Sequence, residues 1–150
     1  MVATTEAPAN TSALEAKKVV VVGSASSGKS ALVQRNKSSL KIWCCGGHER
    51  YRALLEQFFV GASAVILCFD MLSTQSFQEL PFWYNEFKRN SPDALAIIVG
   101  TKSDDADSIK VPVQDALKQA KEWSVEFRAV SSKTGMNVTE LFDHVMTNLP

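Results

Sequence analysis

Val19-Val20-Val21-Val22-Gly23-Ser24-Ala25-Ser26-Ser27-Gly28-Lys29-Ser30 joins an unbroken β-branched run to a glycine-flanked turn that opens a helix-forming stretch. A valine run without alternation predicts a strand buried on both faces of a parallel sheet. Gly23 to Ser30 match the P-loop pattern GxxxxGK[ST], and the position between strand and helix is the context that gives the pattern meaning. Such a turn points backbone N–H groups inward around a phosphate. A Cβ at Gly23 or Gly28 would crowd the anion or forbid the required φ. The positive end of the following helix adds to the attraction. The expected phosphate-side residues are Ser24, Ser26, Ser27, Gly28, Lys29, Ser30 and Ala31. Lys29 would reach the β and γ phosphates, and the Ser30 hydroxyl would sit on a magnesium ion.

The chain has 150 residues, the size of one domain with one core. Lysine plus arginine equal aspartate plus glutamate at 16 each, so no nucleic acid or acidic membrane is expected as an electrostatic partner. The 3 cysteines form no disulfide framework and no charged-then-apolar leader is present, which points to a reducing, cytoplasmic setting. The longest apolar stretch, Phe58 to Leu72, is interrupted by Gly61, Ser63 and Asp70 and is too short to span a bilayer.

Residues 1–16, rich in alanine and threonine without apolar period, predict a disordered arm, and residues 17–150 the folded domain. After the Val19–Val22 strand, a first helix is expected to about Asn36 or Ser38 with Leu32 and Val33 inward, then a strand from Leu40 to Cys44 or Cys45. A short helix over Glu49–Val60 precedes a buried strand over Ala64–Phe69 that ends at Asp70. Ser73 or Thr74 would cap a longer helix bearing Phe77, Leu80, Trp83, Tyr84 and Phe87, with Pro81 able to kink it. Ala94–Val99 reads as a strand and the segment after Pro112 as a helix with Ala116, Leu117, Ala120 and Trp123 inward. A last strand over Glu126–Val130 leads to a final helix with Val138, Leu141, Phe142, Val145 and Met146 inward. Strands alternating with helices imply an α/β three-layer sandwich: about five strands, mostly or wholly parallel, helices on both faces, ligands at the carboxyl ends of the strands.

Two later loops bear on the base. Thr101-Lys102-Ser103-Asp104 leaves a buried strand, where the Asp104 carboxylate can accept bonds from guanine N1 and N2, a donor pair adenine lacks. The Lys102 stem would pack along the base. Ser131-Ser132-Lys133 leaves the last strand, where a backbone N–H could contact guanine O6. Each alone reads equally well as a polar loop; together, after a P-loop, they favour guanine.

From Lys18 to Pro150 the sequence resembles the Rab family of small GTPases. The resemblance rests on the P-loop, on Lys41-Ile42-Trp43 leading to Gly47-His48-Glu49-Arg50-Tyr51-Arg52, on Gly61-Ala62, and on the Thr101–Asp104 and Ser131–Lys133 loops. The wording around Glu49-Arg50-Tyr51, Ser91-Pro92 and Met136-Asn137-Val138 looks most like the early-endosomal group. The resemblance implies a P-loop NTPase fold and a GTP/GDP switch with magnesium. It implies effectors, exchange factors and GTPase-activating proteins as partners, and vesicle traffic as the setting. Gly47 joins the expected nucleotide-binding residues on this ground alone.

Departures from the family bear on mechanism. Only 12 residues separate Ser30 from Trp43, so switch I and its magnesium-binding threonine have no counterpart. Cys44 stands where the family has a magnesium-supporting aspartate, His48 where it has a water-positioning glutamine, and Thr101 where it has an asparagine. His48 is the catalytic candidate by analogy with translation GTPases, and hydrolysis is expected to be impaired. The alternative is a non-catalytic pseudo-GTPase acting as an interaction module. Without the family's outer strand, Leu40–Cys45 is expected to become an exposed sheet edge. Pro150 ends the chain without prenylation cysteines and Met1-Val2 does not suit N-myristoylation, so a monomer without covalent membrane anchor is expected, endosomal association resting on resemblance only.

Overall fold

The computed structural model describes residues 2–5, 17–24, 27–35, 40–45 and 55–149. In chain order the elements are β1 (Val2–Thr5), β2 (Lys18–Gly23), α1 (Lys29–Gln34), β3 (Lys41–Cys45), α2 (Leu55–Phe59), β4 (Ala62–Asp70), α3 (Thr74–Gln78), α4 (Leu80–Asn90), β5 (Leu95–Thr101), α5 (Val113–Trp123), β6 (Glu126–Ala129) and α6 (Val138–Asn148). They form one sheet in the order β1-β3-β2-β4-β5-β6. β3, β2, β4, β5 and β6 run parallel, and β1 is antiparallel to β3. The expected α/β architecture is therefore observed, with one added strand.

The valine run explains the layers. Val20 and Val22 join a core with Phe59, Leu67, Leu80 and Trp83 on one face of the sheet. Val19 and Val21 join another with Leu32, Ile66, Leu141 and Phe142 on the opposite face. All the β2 valines are fully buried, as a strand covered on both sides requires. Each such side chain removed from water contributes about 1.5–3 kcal/mol. The central strand is thus clamped between helix layers, and its carboxyl end is held still.

Some boundaries and facings differ from expectation. α1 stops at Gln34, with Arg35 as its cap. The helix after Ser73 is interrupted at Glu79, because Pro81 lacks an N–H and occupies the first turn of a new helix instead of the interior of one. Leu117 and Met146 are 51% and 44% exposed. Each follows a buried neighbour, Ala116 or Val145, and one helical step of about 100° carries the next side chain off the core stripe. Residues 49–54 of the expected Glu49–Val60 helix lie outside the described residues.

A larger correction concerns the amino-terminal arm. Val2–Thr5 pairs with β3 in the register Val2↔Cys45, Ala3↔Cys44, Thr4↔Trp43 and Thr5↔Ile42. For these residues the disordered reading does not hold, and β3 is not the open edge expected. An apolar strand with unpaired N–H and C=O groups is a strong template, and β-compatible valine and threonine satisfy it even without an apolar period of their own. On its other side β3 pairs with β2, Trp43 opposite Val20. The Lys18 and Lys41 ammonium groups lie 4.8 and 5.3 Å from the centre of the Trp43 ring.

Removing residues 1–5 is expected to uncover β3 and cause concentration-dependent self-association, seen as a rise in mass by light scattering. A truncated chain as monodisperse as the full one would show that β1 is not what protects this edge.

Candidate functional site

The chain leaves β2 for β3 on one side and later returns to β4 on the other, so the strand order reverses at β2. In open parallel sheets the crevice at that reversal, outside the carboxyl ends of the strands, is where ligands bind. Gly23, Asp70, Thr101 and the Val130–Ser131 turn all stand at carboxyl ends.

On the phosphate side, Gly23 and Gly28 have φ of 151° and 91°. From sequence alone, a Cβ here would crowd an anion. The nearest atoms are the protein's own: a Cβ on Gly23 would collide with the Cys68 carbonyl oxygen of β4, and one on Gly28 would lie 2.9 Å from Thr101 Oγ1. Lys29 is 5% exposed and folds back beneath its own loop. Its ammonium donates to the Gly23 carbonyl at 3.0 Å and the Ser24 carbonyl at 2.6 Å, with Ser27 Oγ at 3.4 Å. The charge is therefore already held at the loop. Ser27 is fully buried, and Ser24 Oγ donates to Glu79 Oε2 at 2.6 Å. Ser30 and Ala31 are exposed on the first turn of α1.

On the base side there is a crevice of about 420 Å³, within the roughly 300–1,000 Å³ range of small-molecule sites. Gly28, Ala31, Thr101, Lys102, Asp104, Ser132 and Lys133 line it. These seven were expected from sequence to bind one ligand, and the fold brings them together. Ser24, Ser27, Lys29, Ser30 and Ser131 do not line it. Ser26, Gly47 and His48 lie outside the described residues.

Asp104 is held in place by Ser131, whose Oγ donates to its Oδ1 at 2.7 Å and accepts from the Thr134 amide at 3.1 Å. This bond, more than backbone bonding or the Lys133 charge, holds the carboxyl below its ordinary value. It is ionised at neutral pH, with acceptors only, as a partner for paired N–H donors must be. Ser131 itself is fully buried, so its role is support and not ligand contact. Lys102 adopts φ 62°, and its ammonium pairs with Asp70 Oδ2 at 2.8 Å while Asp70 Oδ1 accepts from the Leu72 amide at 2.8 Å. Thr101 is 2% exposed, and its hydroxyl lies 2.6 Å from the Ser27 carbonyl oxygen and 3.1 Å from that of Phe69. That hydroxyl serves the protein's own loops, not a ligand. The Ser132 hydroxyl, in the crevice wall, is buried without a hydrogen-bond partner among the described residues.

Sequence reasoning missed Leu72 and Asp105 in the crevice wall, and Asp70, Glu79 and Arg35 behind it. Leu72 follows a strand end two residues after a carboxylate, a signal that could have placed it at a strand mouth. Glu79 and Arg35 belong to no motif. Burial pushes the Cys68 thiol up to about 12, against a partial opposing effect of Lys29, so it stays protonated at neutral pH.

Gly28→Ala combines a positive φ with a contact to Thr101, and about 2 kcal/mol of strain is expected. Thermal unfolding should show Tm lowered by about 4–8 °C, and an unchanged Tm would contradict the geometry. For Asp104 the folded value is depressed, so the bond to Ser131 contributes above 3.8 and is lost as pH falls through the lowered value. Ser131→Ala removes the first cause, and the Asp104 carboxyl titration followed by NMR should move up toward 3.8.

Residues 33–150 match the Ras family. The chain is 33% identical over 127 residues to the Ras-related protein Rab-24 of Dictyostelium discoideum, covering 83% of this chain and 63% of that protein. It is 31% identical over 161 aligned positions to the Ras-related protein RABF2b of Arabidopsis thaliana, covering 89% and 80%. With the Ras-related protein RabQ of Dictyostelium discoideum it shares 32% identity over 118 residues, 78% of this chain and 58% of the relative. Against Rab-24 and RabQ the chain spans less than two thirds of the relative's length. The loop of Gly23 to Ser30 precedes the span matched to the family, and its geometry stands independently. The match over most of the chain makes it a member of the Ras family and, within it, of the Rab family of small GTPases.

Proposed function

We propose that residues 17–150 form a guanine-nucleotide domain, with the base in the crevice and the diphosphate at the Gly23–Ser30 loop. The observation carrying this reading is Asp104: an ionised carboxylate, oriented by Ser131, in a crevice that Gly28 also lines. Lys102 packs its stem along the base while Asp70 restrains its ammonium.

Magnesium fits only in part. It prefers oxygen ligands and is held by few protein groups together with phosphates and water. Ser30 offers an exposed hydroxyl oxygen, whereas Cys44 is a buried thiol in β3 and a poor match for a hard cation. Among the described residues no cluster of three or more His, Cys, Asp or Glu could hold a metal. When bound, the ion would neutralise phosphate charge. Among the described residues the chain's own part is the Ser30 hydroxyl and the Lys29 ammonium.

Hydrolysis is accordingly proposed to be slow, with His48 as the water-orienting candidate. A switch acting on effectors in vesicle traffic, governed by exchange factors and GTPase-activating proteins, is the corresponding cellular reading, and family membership supports it. Endosomal membranes are the proposed site of action. A non-catalytic module is the second reading, favoured by the buried thiol of Cys44 and the 12 residues between Ser30 and Trp43. Partner affinity equal with GDP and with a non-hydrolysable GTP analogue would select it.

Isothermal titration should show GDP and GTP binding at micromolar concentrations and ADP binding far more weakly. Asp104→Ala should weaken GDP by about tenfold or more, the loss expected when buried donors of a ligand go unpaired, and leave ADP unchanged. Absence of GDP binding by the unaltered chain would overturn the assignment.

A further inference from the structure

Arg35, the residue that caps α1, reaches across to the loop that follows β6. Its Nε donates to the Ser132 carbonyl at 2.7 Å, and its Nη2 donates to the Lys133 carbonyl at 2.8 Å. Gly135, at φ 84°, lets the loop pass so close that a Cβ there would lie 3.1 Å from Nη1. A guanidinium is a planar, rigid fork, so two successive carbonyls that it binds must both face it.

That constraint determines where the amides go. There is no cis peptide bond, and in a trans unit the C=O and N–H point in opposite directions. The N–H groups of Lys133 and Thr134 are therefore turned away from Arg35. Thr134 donates to Ser131 Oγ at 3.1 Å. Among the described residues no hydrogen bond uses the Lys133 amide. Ser132 and Lys133 line the crevice and Arg35 does not.

We propose that Arg35 is a positioning residue for base specificity: its fork on two carbonyls aims the Lys133 amide at the 6-oxo group of a purine in the crevice. The proposal rests on the guanine reading above and deepens it. Asp104 accepts from N1–H and the 2-amino group, and the Lys133 amide donates to O6. Arg35 is exposed, so its bonds add little to folding stability. Their effect is on direction, and a misdirected donor is felt by the ligand atom that needs it.

The test compares GDP with 6-thioguanosine 5′-diphosphate, which keeps N1–H and the 2-amino group but presents sulfur, a weaker acceptor, at position 6. The unaltered chain should prefer GDP. Arg35→Ala should bind GDP about tenfold more weakly, the worth of one lost hydrogen bond, and the thio analogue nearly as before, closing the preference. Arg35→Lys, a point donor that cannot span both carbonyls, should fall between. Should Arg35→Ala fail to fold, Arg35→Lys and Arg35→Gln carry the same comparison. Equal losses for both nucleotides, or no loss of GDP affinity, overturn the positioning role. An unaltered chain that binds neither nucleotide overturns the guanine reading itself.

Discussion

The Thr101 hydroxyl, buried at the carboxyl end of β5, lies 2.6 Å from the Ser27 carbonyl oxygen, and the rest of the site is referenced to that contact. On one side is the segment that leads from β2 to α1. On the other is the turn that carries Lys102 and Asp104. The absence of a Cβ at Gly28 lets the two approach this closely. With one hydroxyl proton shared between the Ser27 and Phe69 carbonyls, Thr101 ties the phosphate loop to β4 as well as to β5. That buried contact is what holds the spacing between the two loops.

Around this contact the site is held by hydrogen bonds between side chains. Ser131 orients Asp104, Asp70 restrains Lys102, and Glu79 accepts from Ser24 at the interruption between α3 and α4. Glu79 has a further meaning: Pro81 starts a new helix there, and the break brings a carboxylate to the phosphate loop. A local rule about proline thus has a consequence at the ligand site.

At the opposite margin of the sheet, β1 stands beside β3 and completes its hydrogen bonding on the outer side. The parallel strands need no such partner to bury their faces, since both cores are filled by β2 to β6 and the helices. What β1 supplies is a covered edge. This is how a chain with 12 residues between Ser30 and Trp43 still presents a sheet whose apolar β3 is paired on both sides.

The amino-acid sequence by itself determined the strand-helix alternation, the doubly buried Val19–Val22 strand, and the standing of the Gly23–Ser30, Thr101–Asp104 and Ser131–Lys133 segments after strand ends. These follow from local periodicity and from motifs confined to a few neighbouring residues. Seven of the expected residues meet in one crevice because each motif sits at a strand's carboxyl end. Only the tertiary structure decided that Val2–Thr5 pairs with β3, that Leu117 and Met146 face outward, and that Thr101 serves the loops. The same holds for Arg35 and Glu79, which act across 97 and 55 residues of chain. The physical reason is that a hydrogen bond between distant segments leaves no period or spacing in the sequence. It exists only once the sheet has placed both partners within about 3 Å of each other.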